Sequence, residues 1–154
     1  MAALTVATLN LRGRHDRWSD RRHLMVAQLL DIQPDLLSLQ EISVPIGQGK
    51  WLRNQLNARL AAEGQRPYAL IQRHKAHWLY GRQEAIGILT RLPVRYHDSI
   101  DLGYGGCVAL RANIELPDRH ALDFVATHLH HVARDIEARE EQVMKLMGWL
   151  ATSR

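Results

Sequence analysis

Apolar residues recur along this chain in two rhythms, and the switches between them divide it into strands and helices. Residues 4–9 alternate and are β-rich, which predicts a strand ending at Asn10. Ser19 or Asp20 can cap a helix carrying Leu24, Met25, Leu29 and Ile32, and Pro34 stops it. Residues 36–40 are nearly continuously apolar, as a strand covered on both faces is. Residues 44–50 read as a Pro/Gly loop. Residues 51–63 predict a helix with Leu52, Leu56 and Leu60 on one stripe and Gly64 as its stop. Strands are predicted at 68–73, 85–90, 94–100, 107–116 and 121–127, the last two joined by the tight turn Pro117-Asp118-Arg119-His120. Residues 75–82 form a polar, aromatic loop. A final amphipathic helix over 134–150 turns Ile136, Val143, Met147 and Leu150 inward.

Strand-helix-strand-helix, then mostly strands, then a helix predicts a mixed α/β fold with helices on one side of a sheet. There is no repeat, low-complexity run or linker, so residues 1–154 are expected to form a single domain. The strands are apolar on both faces, yet the chain is expected to end before it supplies a second layer. One face of the sheet is therefore expected to lie uncovered.

Bulk composition narrows this only a little. With 46% hydrophobic and 23% charged residues the chain is an ordinary globular one. A net charge of +4 and a pI near 9.6 favour approach of a polyanion such as nucleic acid or a phosphate ester. The basic group Arg12, Arg14, Arg17, Arg21 and Arg22 can contact phosphates or form a solvated loop and helix face. The single cysteine, Cys107, excludes an internal disulfide and fits a reducing compartment. No signal peptide and no transmembrane segment is read, and a cytoplasmic location is expected.

Two strand ends carry the chemistry. Leu36-Leu37-Ser38-Leu39-Gln40-Glu41 closes on a carboxylate, and Phe124-Val125-Ala126-Thr127-His128 closes on an imidazole. Apolar packing selects neither residue, because polar groups at a buried strand end need partners or water. Together they suggest metal-assisted chemistry on an acidic substrate.

Four stretches resemble one family in its order and spacing. They are Thr8-Leu9-Asn10-Leu11-Arg12, the run from Gln33 to Glu41, the run from Glu84 to Pro93, and Thr127-His128-Leu129 with Arg139 and Gln142 after it. The chain resembles the N-terminal half of the endonuclease/exonuclease/phosphatase superfamily, the DNase I-like Mg²⁺-dependent phosphodiesterases and phosphatases. The resemblance implies a DNase I-like sandwich, of which this chain supplies one mixed β-sheet with its covering helices. It implies that Glu41 binds Mg²⁺ or Mn²⁺, that Asn10 helps position metal and scissile phosphate, and that His128 acts on the phosphate. Glu84 would orient His128. Arg12 and Arg111 are candidates for holding substrate. The His in Thr127-His128-Leu129 is more like the DNase I, sphingomyelinase and inositol-phosphatase branches than the exonuclease III branch. The substrate class stays open between nucleic acid, phospholipid head groups and small phosphorylated molecules.

The chain departs from the family pattern in two ways. The family's Gly-Asp-x-Asn and Ser-Asp-His motifs, which bind and activate the attacking water, are absent from these 154 residues. Cys107 stands where the family often has a phosphate-clamping Arg, and Arg111 lies further along the strand. The implied function is a phosphoesterase whose isolated 154-residue part has little or no activity. The alternative is a non-catalytic half-domain that associates, with itself or with a missing C-terminal half, through its uncovered sheet face.

Overall fold

The computed structural model describes residues 3–152. The elements run β1 (Val6–Asn10), α1 (Trp18–Ile32), β2 (Leu36–Ser43), α2 (Gln48–Ala62), β3 (Ala69–His74), β4 (Glu84–Thr90), β5 (Val94–Asp101), β6 (Val108–Glu115), β7 (Ala121–Thr127) and α3 (Ile136–Thr152), with single 3-10 turns at Tyr80–Arg82 and Tyr104–Gly106. The α/β class, the mixed sheet and its covering helices are as the pattern predicts. Among the described residues the strands form two sheets rather than one. The first has the order β1-β2-β4-β3, with β1 parallel to β2 and the other pairs antiparallel. The second is the antiparallel meander β5-β6-β7.

This second sheet corrects the expectation of one sheet with a bare face. β7 lies over β2 and β4, and β6 over β4 and β3. Leu36, Ile86 and Ile88 of the first sheet pack against Val108, Leu110, Ala112, Ile114 and Ala126 of the second. The opposite face of the first sheet, with Leu37, Leu39 and Leu89, packs under Met25 and Leu29 of α1 and Leu52, Leu56 and Leu60 of α2. The double-sided apolar strands therefore have both partners within the chain: helices on one side, a sheet on the other. The third layer boundary is smaller, with Leu146 and Trp149 of α3 on Leu102, Cys107 and Ala109 of the second sheet's outer face.

The sandwich is open along one side. β1 ends the first sheet and β7 ends the second, and both lie at the same edge of the molecule. Val6, Thr8 and Asn10 of β1 are exposed. α3 is also not turned as predicted. Its inner face carries Gln142, fully buried, with Leu146 and Trp149 packed beside it, while Ile136, Val143 and Met147 are 56%, 41% and 58% exposed. Two terminal boundaries also moved. α1 starts at Trp18 without a Ser19 or Asp20 side-chain cap, because the Arg21 guanidinium gathers the loop carbonyls of His15 and Asp16 at 2.8 and 2.6 Å. α2 starts at Gln48, inside the stretch read as a loop. Its Gly49 is where β3 comes closest, since a Cβ there would sit 2.7 Å from the Gln72 side chain. No helix among the described residues is long and apolar enough to cross a membrane.

Candidate active site

Four strand ends converge on one rim. β1 delivers Asn10 at its C-terminal end, and parallel β2 delivers Glu41 beside it. β4 runs antiparallel to β2, so its first residue, Glu84, pairs with Ser43 near the same end. β7 ends at Thr127, and His128 follows directly. The topology thus brings together residues up to 118 positions apart in sequence, as Asn10 and His128 are.

Glu41 is held by backbone geometry that no apolar pattern encodes. The β2–β4 register slips between Leu39 and Ile42, and Glu41 adopts a positive φ of 50°. A bulge of this kind re-aims one side chain, and a non-glycine residue in this region stores strain that its surroundings must offset. The surroundings are specific. Leu11 and Gly13 donate their N–H groups to the carbonyls of Gln40 and Glu41, each at 2.9 Å. The fully buried Gln48 accepts from Ser43 N–H and donates to the Gly13 carbonyl, both at 2.8 Å, so it ties the β2 end to the loop after β1. Asn10 donates its amide N–H to Glu41 Oε1 at 2.8 Å, while its own Oδ1 accepts from Arg12 N–H at 2.8 Å.

His128 lies between two carboxylates. Its Nε2 is 3.7 Å from Glu41 Oε1 and its Nδ1 is 3.8 Å from Glu84 Oε1. These distances exceed a hydrogen bond, and both His128 Nδ1 and Glu84 Oε1 are buried without an aligned partner. Catalytic hydrogen bonds are commonly long before substrate binds and shorten on binding. Lys75 Nζ sits 2.9 Å from Glu84 Oε1. Burial pushes the Glu84 carboxyl up, but His128 and Lys75 more than offset it, and the carboxyl lies below its ordinary range. Glu84 is therefore an anion at neutral pH facing an imidazole nitrogen, the arrangement that fixes a tautomer. Two cavities flank the rim: one of about 520 Å³ on the His128 side and one of about 570 Å³ on the Glu41 side, with Glu84 lining both.

The arrangement matches a known family. The model of the Endonuclease/Exonuclease/phosphatase family matches residues 7–154. The chain belongs to this family. No curated protein matches it in sequence. Three solved structures share its fold: D. rerio TDP2 humanized by 14 mutations (17% identity, TM-score 0.75), an endonuclease/exonuclease/phosphatase family protein of Leptotrichia buccalis (12%, 0.76) and the mannosyl-6-phosphatase of Bacteroides thetaiotaomicron (18%, 0.76). They cover 97%, 99% and 99% of this chain, which spans only 57%, 64% and 61% of theirs.

Within this endonuclease/exonuclease/phosphatase fold, the predicted site residues Asn10, Glu41, Glu84 and His128 come together, and the two arginines do not join them. The Arg12 side chain pairs with Asp16 at 2.5 Å. Arg111 is buried on the outer face of the second sheet, bonded to Asp98 at 2.5 and 2.8 Å, with its guanidinium 4.7 Å from the Trp149 ring. Arg14, from the same basic cluster, lines the cavity with Glu41. Cys107 is buried in the wall of the other cavity, and burial raises its thiol pKa. Sequence reasoning missed Lys75 and Gln48. Lys75 stood inside a polar loop with nothing to mark it. Gln48 lay between Gly47 and Gly49, and a helix start after Gly47 was the available signal.

Among the described residues no group of three or more His, Cys, Asp or Glu is arranged to hold a metal ion. Glu41 is the carboxylate that could do so, braced by Asn10. A single braced carboxylate suits Mg²⁺, which keeps several waters and takes its other oxygens from substrate phosphate.

Proposed function

We propose that this chain supplies one side of the active centre of a Mg²⁺- or Mn²⁺-dependent phosphoesterase that hydrolyses mono- or diesters by direct attack of water. One observation carries the reading: the two ring nitrogens of His128 face Glu41 and Glu84 at a rim flanked by two cavities. A divalent ion held by Glu41 would neutralise charge on the phosphate oxygens. Asn10 orients the Glu41 carboxylate. Glu84, itself paired with Lys75, steadies His128 from the Nδ1 side, leaving Nε2 to hydrogen-bond a phosphate oxygen as charge develops. Arg14 adds positive charge to the Glu41 cavity.

The names of similar structures support a phosphate ester as the common substrate. One is D. rerio TDP2 with a single-strand DNA product, and another is a mannosyl-6-phosphatase. The groups that activate water are not in this sequence, so the chain alone is expected to bind phosphate esters without turning them over. Release of p-nitrophenol from p-nitrophenyl phosphate and its bis ester, with Mg²⁺, tests this. The expected rate is background in wild type and His128→Ala alike. A His128-dependent rate near about 1–10 s⁻¹, ordinary for enzymes, would overturn the inactivity of the chain alone.

A second reading is association, and the observations favouring it are the exposed apolar stripe of α3 and the unpaired outer edges of β1 and β7. Unpaired edges and apolar patches are surfaces that natural proteins cover. The uncovered surface is thus an edge and a helix rather than the sheet face expected from sequence. Sedimentation equilibrium separates the cases: a concentration-dependent increase in mass supports association, and a monomer at all concentrations contradicts it.

A further inference from the structure

A buried amide on the Glu41 side joins two parts of the rim that carry opposite charge. β1 stops at Asn10, opposite Gln40. Beyond that point β2 runs on through Glu41, Ile42 and Ser43 with no strand on its β1 side among the described residues. Backbone groups left open there need other partners. The loop after β1 supplies one, because Gly13 N–H donates to the Glu41 carbonyl at 2.9 Å. Gln48, fully buried in the first turn of α2, supplies the rest. Its Oε1 accepts from Ser43 N–H and its Nε2 donates to the Gly13 carbonyl, both at 2.8 Å. Gly13 is thus gripped at its N–H and at its carbonyl. Gly13 and Glu41 each hold a φ of 50°, so the two ends of this bridge are both set in the left-handed region.

The residue after the clamped glycine is Arg14. Arg12 and Arg17 on either side of it pair with Asp16 and Asp20, and among the described residues no salt bridge takes Arg14. Arg14 is exposed and lines the same cavity of about 570 Å³ as Glu41. A carboxylate that faces a cation and a guanidinium that faces an anion therefore share one space, and the spacing between them is set through Gln48 rather than by strand pairing. The position needs a side chain that donates and accepts at once from inside the fold. Met or Leu would leave the Ser43 N–H and the Gly13 carbonyl without this partner, and Glu would set a carboxylate against the Gly13 carbonyl.

We propose that Gln48 is a positioning residue that couples the cation half of this site to its anion half. It holds the Glu41 bulge and the Arg14 loop in one register, so that a cation on Glu41 and a phosphate at Arg14 sit at a fixed spacing. This role rests on the phosphoesterase reading and adds to it a residue that touches neither ligand. Titrations of the 154-residue chain with Mn²⁺, and with inorganic phosphate at saturating Mn²⁺, test it. Gln48→Met should weaken Mn²⁺ binding about 10–100-fold, the range for losing a group that orients a metal ligand, and should weaken phosphate binding as well. Gly13→Ala, which strains the other end of the bridge, should repeat the pattern. Arg14→Ala should weaken phosphate alone, and should add little in the Gln48→Met background, where the register is already lost. The three-bond HN–Hα coupling of Glu41 reads its φ with no ligand present, and in Gln48→Met it should move toward the strand value. Leu56→Ala, a core loss in the same helix, should change neither affinity nor this coupling. Affinities unchanged in Gln48→Met, an equal loss in Leu56→Ala, or an Arg14→Ala effect of the same size in both backgrounds overturns the proposal. If Gln48→Met changes nothing while Glu41→Gln abolishes Mn²⁺ binding, the role of Gln48 fails and the phosphoesterase reading stands. If Glu41→Gln binds Mn²⁺ as wild type does while Gln48→Met shifts the Glu41 coupling, Gln48 still positions Glu41 and the phosphoesterase reading fails.

Discussion

α2 and α3 carry similar apolar stripes and bury them differently. In α2, Leu52, Leu56 and Leu60 are 0–1% exposed beneath the first sheet. In α3, Ile136, Val143 and Met147 repeat at comparable spacing and remain largely in solvent, while Gln142 is fully buried. The difference is what each helix has to lie on. α2 meets a face of leucines that accepts any apolar stripe. α3 meets backbone groups, the Tyr104 carbonyl and the His130 N–H, that need a donor and an acceptor, and a Gln amide provides both. The buried face of α3 joins this amide to Leu146 and Trp149, which pack on Leu102, Cys107 and Ala109. Of the stripe left outside, Ile136 and Val143 lie beside Leu129, just after β7.

The largest effect that sharpens this comparison is in α2. Leu56→Ala should cost about 2–5 kcal/mol in urea unfolding, the range for a leucine lost from a packed core. Gln142→Ala should come next, at about 1–3 kcal/mol for each backbone group left unpaired, and it should shift the amide resonances of Tyr104 and His130. A cost no larger than that of a surface substitution would mean that α3 is not clamped by this residue. Val143→Ala should stay within about 0.5 kcal/mol. A loss comparable with Leu56→Ala would break the comparison outright, because it would mean that the stripe is covered in solution. The smallest effect is one of pH. The folded Glu84 carboxyl titrates below its ordinary value of 4.5, so the stability it contributes is present above that pH and is lost as the pH falls through the folded value. Glu84→Gln should flatten that acid limb of the stability–pH curve, and an unchanged limb would place the shift elsewhere.

The same contrast explains what was legible in the sequence. Strand ends were readable because a charged residue after a buried run breaks the apolar rule visibly, as at Glu41 and His128. Glu84 was readable only through the motif that runs from it to Pro93, and its pairing with Lys75 left no mark in the sequence. The leucine stripe of α2 was readable because its target is uniform. The α3 orientation was not, because a buried Gln is indistinguishable in sequence from an exposed one until its partners are known. The second sheet was read as part of the first because hairpins reveal pairing but not which sheet they join. The bulge at Glu41 left no mark in the pattern, since its positive φ is imposed by Gln48 and the loop after β1 rather than by local composition. Arg12 and Arg111 were candidates for holding substrate on the family resemblance, and in the structure they pair with the carboxylates of Asp16, Asp98 and Asp123.

We propose that Glu41, braced by Asn10 and facing His128, is the cation-binding carboxylate of a phosphoesterase site. Titration of the isotope-labelled chain with Mn²⁺, read as paramagnetic broadening of backbone amide signals, tests it most directly. Asn10, Glu41 and His128 should broaden first, and Glu41→Gln should remove the effect while the rest of the spectrum stays folded. Broadening that starts elsewhere, or that persists in Glu41→Gln, would contradict it.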